Sequence, residues 1–236
     1  MADALDRPLD HPLDLTAATR RLVRTADTLT DAQHAEPSGL PGWTRAHVLA
    51  HLALNAEGLA AALGGIVEGR RVPVYRSQQA RDEDIETLAA ASPGMVRTRL
   101  LGGCTALSDA IGAVPDDAAQ TTIERVPGGP VFPAGEVPWM RLREVEIHHA
   151  DLGVGYARSD WEPAFATGLI DWLVSRNDAE PPFLARATDV DRTWTFGAGG
   201  PVVSGRAADL AWWLTGRGAG EGLTSEGGEL PQIGAW

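Results

Sequence analysis

Residues 140–152 read MRLREVEIHHADL, and residues 43–55 read WTRAHVLAHLALN. Apolar side chains recur in both stretches with the spacing of a helix, and each stretch also carries histidine. In a helix, Glu144 and His148 share one face because they lie four residues apart. A nitrogen ligand from the other helix would complete a three-ligand metal site with one open position, as catalytic zinc sites have. The two stretches therefore predict a helix bundle whose facing side chains hold a metal ion.

The first of these helices offers His47 and His51, one turn apart, and Asn55 continues the same polar face. An HxxxH pattern alone is a weak signal, since partly buried histidines bonded to backbone or carboxylate groups are more common than ligands. A polar face that runs for three turns along an apolar helix favours the ligand role. Asp151 is a candidate to orient a ligand histidine, although a solvated residue at a helix end fits its position equally well.

The donor types indicate which metal would bind. An i,i+4 pair such as Glu144 and His148 is often only a surface ion pair, but the apolar neighbours of this pair predict burial, where a carboxylate needs a cation. Two imidazoles and one carboxylate suit zinc, with bonds of about 2.0 to 2.2 Å. Iron accepts the same ligand set.

The chain organisation predicts an α+β fold. Helical spacing predicts helices over residues 14–30, 45–68, 77–91, 92–114 and 139–152, with a loop-like region and one short strand between the last two. Beyond Gly153, the pattern predicts two further helices and three short strands, over residues 161–177, 184–189, 193–196, 202–204 and 206–215. We therefore expect a four-helix bundle over residues 1–155 and a small α/β domain over residues 156–236.

Composition excludes several classes of function. A net charge of −12 argues against nucleic acid and against anionic membranes as partners. All 20 basic residues are arginine, which excludes lysine Schiff-base chemistry and the lysine of a P-loop. The single cysteine, Cys104, cannot form an internal disulfide and predicts a cytoplasmic protein. No signal peptide is expected in residues 1–14, and no apolar stretch of membrane-spanning length is expected in the chain. A monomer is plausible at this size.

The chain resembles the mycothiol-dependent maleylpyruvate isomerase family. The resemblance lies in residues 41–51, PGWTRAHVLAH, in residues 139–148, WMRLREVEIH, and in short glycine-containing segments between residues 203 and 225. It implies a DinB-like four-helix metal-binding bundle followed by a small C-terminal α/β domain. It also implies zinc held by His51, Glu144 and His148, whereas His47 matches a family histidine that is not a ligand.

The resemblance implies roles for Arg217 and Arg81, and the polar face of the first helix adds Asn55. Arg217 matches an arginine that the C-terminal domain presents to the active site, and we assign it a catalytic role. The alternative interpretation is that Arg217 is a solvated residue beside a glycine turn. Arg81 and Asn55 are assigned to binding of the thiol cofactor, with weaker grounds for Arg81.

The implied activity is a cytoplasmic isomerase of aromatic catabolism that uses zinc and mycothiol. Zinc would lower the pKa of the bound thiol, and the thiolate would add to the cis double bond of maleylpyruvate. Rotation and elimination would then give fumarylpyruvate.

Two alternatives stay open. A mycothiol S-transferase would release the conjugate of an electrophile, and a non-catalytic zinc module would close the metal site with a protein side chain. Cys104 is the candidate for that closure, although a small buried residue is its more common role.

Overall fold

The computed structural model describes residues 14–175 and 181–234. These residues form two compact units, Asp14–Gly155 and the described residues from Tyr156 onward. The predictions made for residues 1–13 and for the end of the helix over residues 161–177 lie outside the described residues.

The first unit is a helical bundle with a small hairpin. Its helices are α1 (Leu15–Thr28), α2 (Asp31–Ala35), α3 (Arg45–Val67), α4 (Gln78–Ala89), α5 (Pro93–Ala113) and α6 (Val137–Asp151). Helices α1, α3, α5 and α6 each pack against two of the other three, which closes a four-helix arrangement, and α4 lies against α3. The antiparallel strands β1 (Thr122–Glu124) and β2 (Val131–Pro133) join α5 to α6.

Local sequence explains where the long helices begin. Ser92 caps α5 by accepting a hydrogen bond from the Met95 amide, and Pro93 follows as the first helical residue. Thr44 precedes α3, and its backbone N–H donates to Nδ1 of His47 at 3.2 Å. Both predicted starts are confirmed. The imidazole of His47 thus takes the place that Glu or Gln has in an ordinary capping box.

Helix α3 is the central helix of the bundle. Its leucines 49, 52, 59 and 63 are at most 1% exposed. At Gly58, a Cβ would lie 2.5 Å from the carbonyl oxygen of Val74, so the glycine allows the chain after α3 to return against the helix. This close approach fixes the position of the segment that precedes α4.

Helix α3 is also, among residues 14–175 and 181–234, the one helix that is long and apolar enough to cross a membrane by length and composition. No such stretch was expected from the sequence, and α3 corrects that expectation because leucine and alanine outweigh its few polar residues. More than half of its most apolar 18-residue window is buried. A core helix of a water-soluble bundle has this character.

The second unit combines two helices with a four-stranded sheet. Its elements are α7 (Pro163–Val174), β3 (Phe183–Ala187), β4 (Arg192–Phe196), β5 (Val202–Gly205), α8 (Ala207–Leu214) and β6 (Thr224–Ser225). The strand order is β4-β3-β5-β6, with β3 parallel to β5 and both outer pairs antiparallel. Phe183 and Phe196 stack with ring centroids 4.6 Å apart, and Trp213 of α8 packs edge-on against Phe183. The predicted α+β fold is confirmed, and β6 is an additional short strand.

Candidate metal centre

The packing of α3 against α6 brings His51, Glu144 and His148 together. Nε2 of His51 lies 2.8 Å from Oε2 of Glu144, and Nε2 of His148 lies 3.4 Å from the same oxygen. One ligand atom from each of the three side chains lies within 4.8 Å of the others. Both histidines are buried, and Glu144 is partly exposed, so the cluster has one side that solvent reaches.

His51 is a neutral imidazole in this arrangement. Burial lowers its pKa to about 4, although the hydrogen bond with Glu144 opposes this shift. Nη2 of Arg81 lies 3.3 Å from Nδ1 of His51. Because a guanidinium group only donates hydrogen bonds, Nδ1 accepts and Nε2–H donates to Glu144.

His148 is oriented by the carboxylate of Asp151. Nδ1 of His148 lies 2.8 Å from Oδ2 of Asp151, whose side chain is completely buried. Burial alone would lower the pKa of His148, but the hydrogen bonds with Asp151 and Glu144 raise it above its ordinary value. Asp151 thus makes the contact that a ligand-orienting residue requires, and it leaves Nε2 of His148 directed at Glu144.

Glu144 carries a full negative charge between the two imidazoles. Burial alone would raise the pKa of this carboxyl group, but hydrogen bonds with His148 and His51 outweigh burial and hold the pKa well below its ordinary value. An ionised carboxylate and two imidazole nitrogens are donors that zinc prefers. Ligands around a tetrahedral ion with bonds of about 2.1 Å lie about 3.4 Å apart. The donor set and its spacing therefore fit a zinc ion, and the assignment of these three residues as its ligands stays a prediction.

Helices α3 and α6 also bring a second polar group together, one turn along from the cluster. Nη1 of Arg141 donates to Oδ1 of Asn55 at 2.7 Å, and Nδ2 of Asn55 lies 3.4 Å from the hydroxyl oxygen of Tyr75. The guanidinium group of Arg81 lies 5.6 Å from the centroid of the Tyr75 ring. Asn55 and Arg81, both predicted to bind the cofactor, therefore flank the same tyrosine.

Sequence reasoning missed Tyr75 as a functional candidate. The tyrosine lies in the extended segment before α4, where no periodic pattern indicates which face meets the bundle. It reaches Asn55 only because the chain returns closely over Gly58.

Cys104 lies outside the three-residue cluster. It is buried in α5, and Nη2 of Arg141 lies 3.5 Å from its sulfur. In the part of the chain that the structure describes, no cysteine joins His51, Glu144 and His148 in a metal-binding group. The geometry thus agrees with Cys104 as a small buried core residue and not as a metal ligand.

His47 and Arg217 both lie outside the three-residue cluster. His47 caps α3 and lies 3.2 Å from the exposed carboxylate of Glu86, so it has structural contacts outside the cluster. Arg217 lies in the second unit, where Nη1 donates to the carbonyl oxygen of Thr215 at 3.1 Å. Its guanidinium group lies 5.6 Å from a ring centroid of Trp212. The catalytic role of Arg217 stays a prediction.

Comparison with known proteins gives a consistent result. A family model described as the mycothiol maleylpyruvate isomerase N-terminal domain matches residues 15–153. The crystal structure of the mycothiol-dependent maleylpyruvate isomerase is 29% identical in sequence, with a TM-score of 0.88 and 100% coverage of both chains. A histidine-to-alanine mutant of the mycothiol-dependent maleylpyruvate isomerase is 28% identical, with a TM-score of 0.87 and the same coverage. No curated protein matches the sequence.

Proposed function

The chain belongs to the mycothiol maleylpyruvate isomerase family, and from this premise we propose that it uses zinc and mycothiol to convert maleylpyruvate to fumarylpyruvate. It is an enzyme of the mycothiol-dependent isomerase type. The observation that carries the proposed use of zinc is that two imidazoles and one ionised carboxylate converge at a partly exposed position. Such a ligand set leaves room for a fourth ligand from a small molecule.

In this proposal, His51, Glu144 and His148 hold the metal and Asp151 orients His148. A bound zinc ion supplies the positive charge that favours the thiolate form of a thiol at neutral pH. When bound, mycothiol would supply the nucleophile for reversible addition to the cis double bond, with the electron pair held by the adjacent carbonyl group as an enolate. Rotation and loss of the same thiolate would then give the trans isomer.

The substrate carries two carboxylates, so the protein needs local positive charge despite its net charge of −12. Arg81 supplies one such charge, because its guanidinium group lies 3.3 Å from Nδ1 of His51. We assign a second cationic role to Arg217, on the strength of the family resemblance. Preorganised cations would stabilise the enolate and the carboxylates in a site that excludes water.

An S-transferase would share the first half of this reaction and release the conjugate. The arginine beside the cluster favours an anionic substrate, and thus the isomerase, over conjugation of neutral electrophiles. The non-catalytic module required a protein ligand at the open position, and Cys104, the candidate for it, is instead hydrogen-bonded by Arg141. A cytoplasmic location and a monomeric state stay predictions.

Metal analysis combined with turnover tests the proposal. The purified full chain should contain about one zinc per chain and isomerise maleylpyruvate only when mycothiol is present. A generic alkylating electrophile should be conjugated more slowly. The variant His51→Ala should lose both metal and turnover, since two ligands hold zinc poorly. Full metal content in this variant would contradict the ligand assignment, and conjugation without isomerisation would favour the transferase.

A further inference from the structure

The position of Tyr75 is fixed by backbone hydrogen bonds. The amides of Val74 and Tyr75 donate to the carbonyl oxygens of Glu124 and Arg125, at 3.0 and 2.9 Å. The same segment lies against Gly58 of α3, where there is no space for a side chain. The partly exposed Tyr75 is therefore held between α3 and the end of β1.

The hydrogen bonds that lead to Tyr75 have a defined direction. The guanidinium group of Arg141 can only donate, so the Asn55 atom at 2.7 Å is the amide oxygen. The amide NH2 of Asn55 therefore faces the Tyr75 hydroxyl oxygen, which accepts at 3.4 Å. Tyr75 still has its hydroxyl hydrogen to donate, and no acceptor for it occurs within residues 14–175 and 181–234.

Positive charge surrounds this chain of hydrogen bonds. Arg141 is 1% exposed, and none of the carboxylates in the described residues forms an ion pair with it. Such a buried cation is costly unless an anion or several hydrogen bonds compensate it. Arg81 and Arg125 lie 5.6 and 5.9 Å from the Tyr75 ring centroid. Of these three arginines, only Arg81 has a carboxylate partner in the described residues, the exposed Asp82.

We propose that the Tyr75 hydroxyl donates a hydrogen bond to a carboxylate oxygen of the anionic substrate, with Asn55 and Arg141 as positioning residues. Tyr75 is close to the metal centre because Arg81 contacts both its ring and His51. The Tyr75 hydroxyl would recognise a carboxylate by one directed hydrogen bond, and the nearby arginines would attract its negative charge. This subsite deepens the proposed isomerase function and rests on it for the identity of the substrate.

The test measures binding of maleate, a cis-dicarboxylate, to the zinc-loaded full chain by calorimetry without thiol. Dimethyl maleate is the uncharged probe of the same shape. A hydrogen bond to a charged group is worth about tenfold or more in affinity, so Tyr75→Phe should raise the Kd for maleate by about tenfold at unchanged metal content. The weak binding of dimethyl maleate should not change. The variant should also raise KM for maleylpyruvate more than it lowers kcat.

The only other tyrosine provides a matched control, since Tyr156→Phe removes a hydroxyl group of the second unit. This variant should bind maleate as the wild type does. A second variant, Asn55→Ala, removes the group that orients the Tyr75 hydroxyl and should raise the Kd for maleate severalfold. When Asn55→Ala is combined with Tyr75→Phe, the Kd for maleate should rise little further, because both changes act on the same hydrogen-bond donor.

Two results would overturn the subsite. One is a Kd for maleate within twofold of wild type in Tyr75→Phe at equal metal content. The other is a wild type that binds dimethyl maleate as tightly as maleate. Failure of the isomerase proposal is a separate outcome, seen as no turnover of maleylpyruvate by a wild-type chain that still binds maleate through Tyr75.

Discussion

The carboxylate of Asp151 offers the sharpest test of the proposed metal centre, because it contacts a proposed ligand, His148, without being one. The variant Asp151→Asn keeps an oxygen that can accept from Nδ1 of His148 at the observed 2.8 Å, but removes the charge. A hydrogen bond to a charged group contributes about 1.5 to 3 kcal/mol and a neutral one about 0.5 to 1.5 kcal/mol. The loss of roughly 1.4 kcal/mol corresponds to about tenfold weaker zinc binding.

The variant Asp151→Ala should weaken zinc binding further, towards about 100-fold, since Nδ1–H then loses its acceptor in a buried place. Competition with a chromogenic zinc chelator at fixed pH measures both affinities. Glu86→Gln is the matched control, because Glu86 also contacts a histidine but that histidine, His47, is outside the cluster. Unchanged zinc affinity in both Asp151 variants, or an equal loss in Glu86→Gln, would refute the orienting role.

Three other changes test different parts of the molecule. Arg217→Ala should keep its zinc and lose about 100-fold in kcat, measured on metal-loaded protein; wild-type turnover would remove Arg217 from the mechanism. Arg81→Met should tighten zinc binding by about tenfold, because zinc on Nε2 of His51 requires a hydrogen on Nδ1, where the guanidinium group now donates; weaker binding in chelator competition would contradict this. Burial, followed by the nearby charge of Arg97, lowers the pKa of His34 below 6.5. The neutral histidine therefore makes its full contribution to the free energy of unfolding above pH 6.5, and this contribution is lost as the pH falls through the folded-state pKa. His34→Gln should therefore lose less unfolding free energy between pH 7.5 and 5 than the wild type, and parallel curves in urea titrations would argue against it.

The sequence predicted those features of the site that depend on local periodicity. Glu144 and His148 share a face in any helix, and the apolar residues around them fix which face is buried. The starts of α3 and α5 were equally predictable, since Thr44 and the Ser92-Pro93 pair act through hydrogen bonds and dihedral angles of the neighbouring residues. None of these features requires knowledge of a distant contact.

The features that sequence reasoning missed depend on contacts between distant segments. Strand β2 contains Pro133 and pairs with β1 in a hairpin that packs against α3 and α6. Tyr75 reaches Asn55 through the close approach at Gly58, which a pattern of apolar residues does not encode. Arg141 pairs with the amide of Asn55 and not with a carboxylate, and its own sequence neighbours do not indicate that partner.

The two polar groups between α3 and α6 share Arg81, so metal binding at one group would bear on substrate binding at the other. In the arrangement described, Arg81 donates to Nδ1 of His51 and leaves Nε2–H on Glu144. Zinc on Nε2 would reverse the tautomer, and two donors would then face each other at Nδ1. The guanidinium group would have to turn away from His51 and towards Tyr75, whose ring it already contacts. Metal binding would thus leave the arginine available to an anionic substrate.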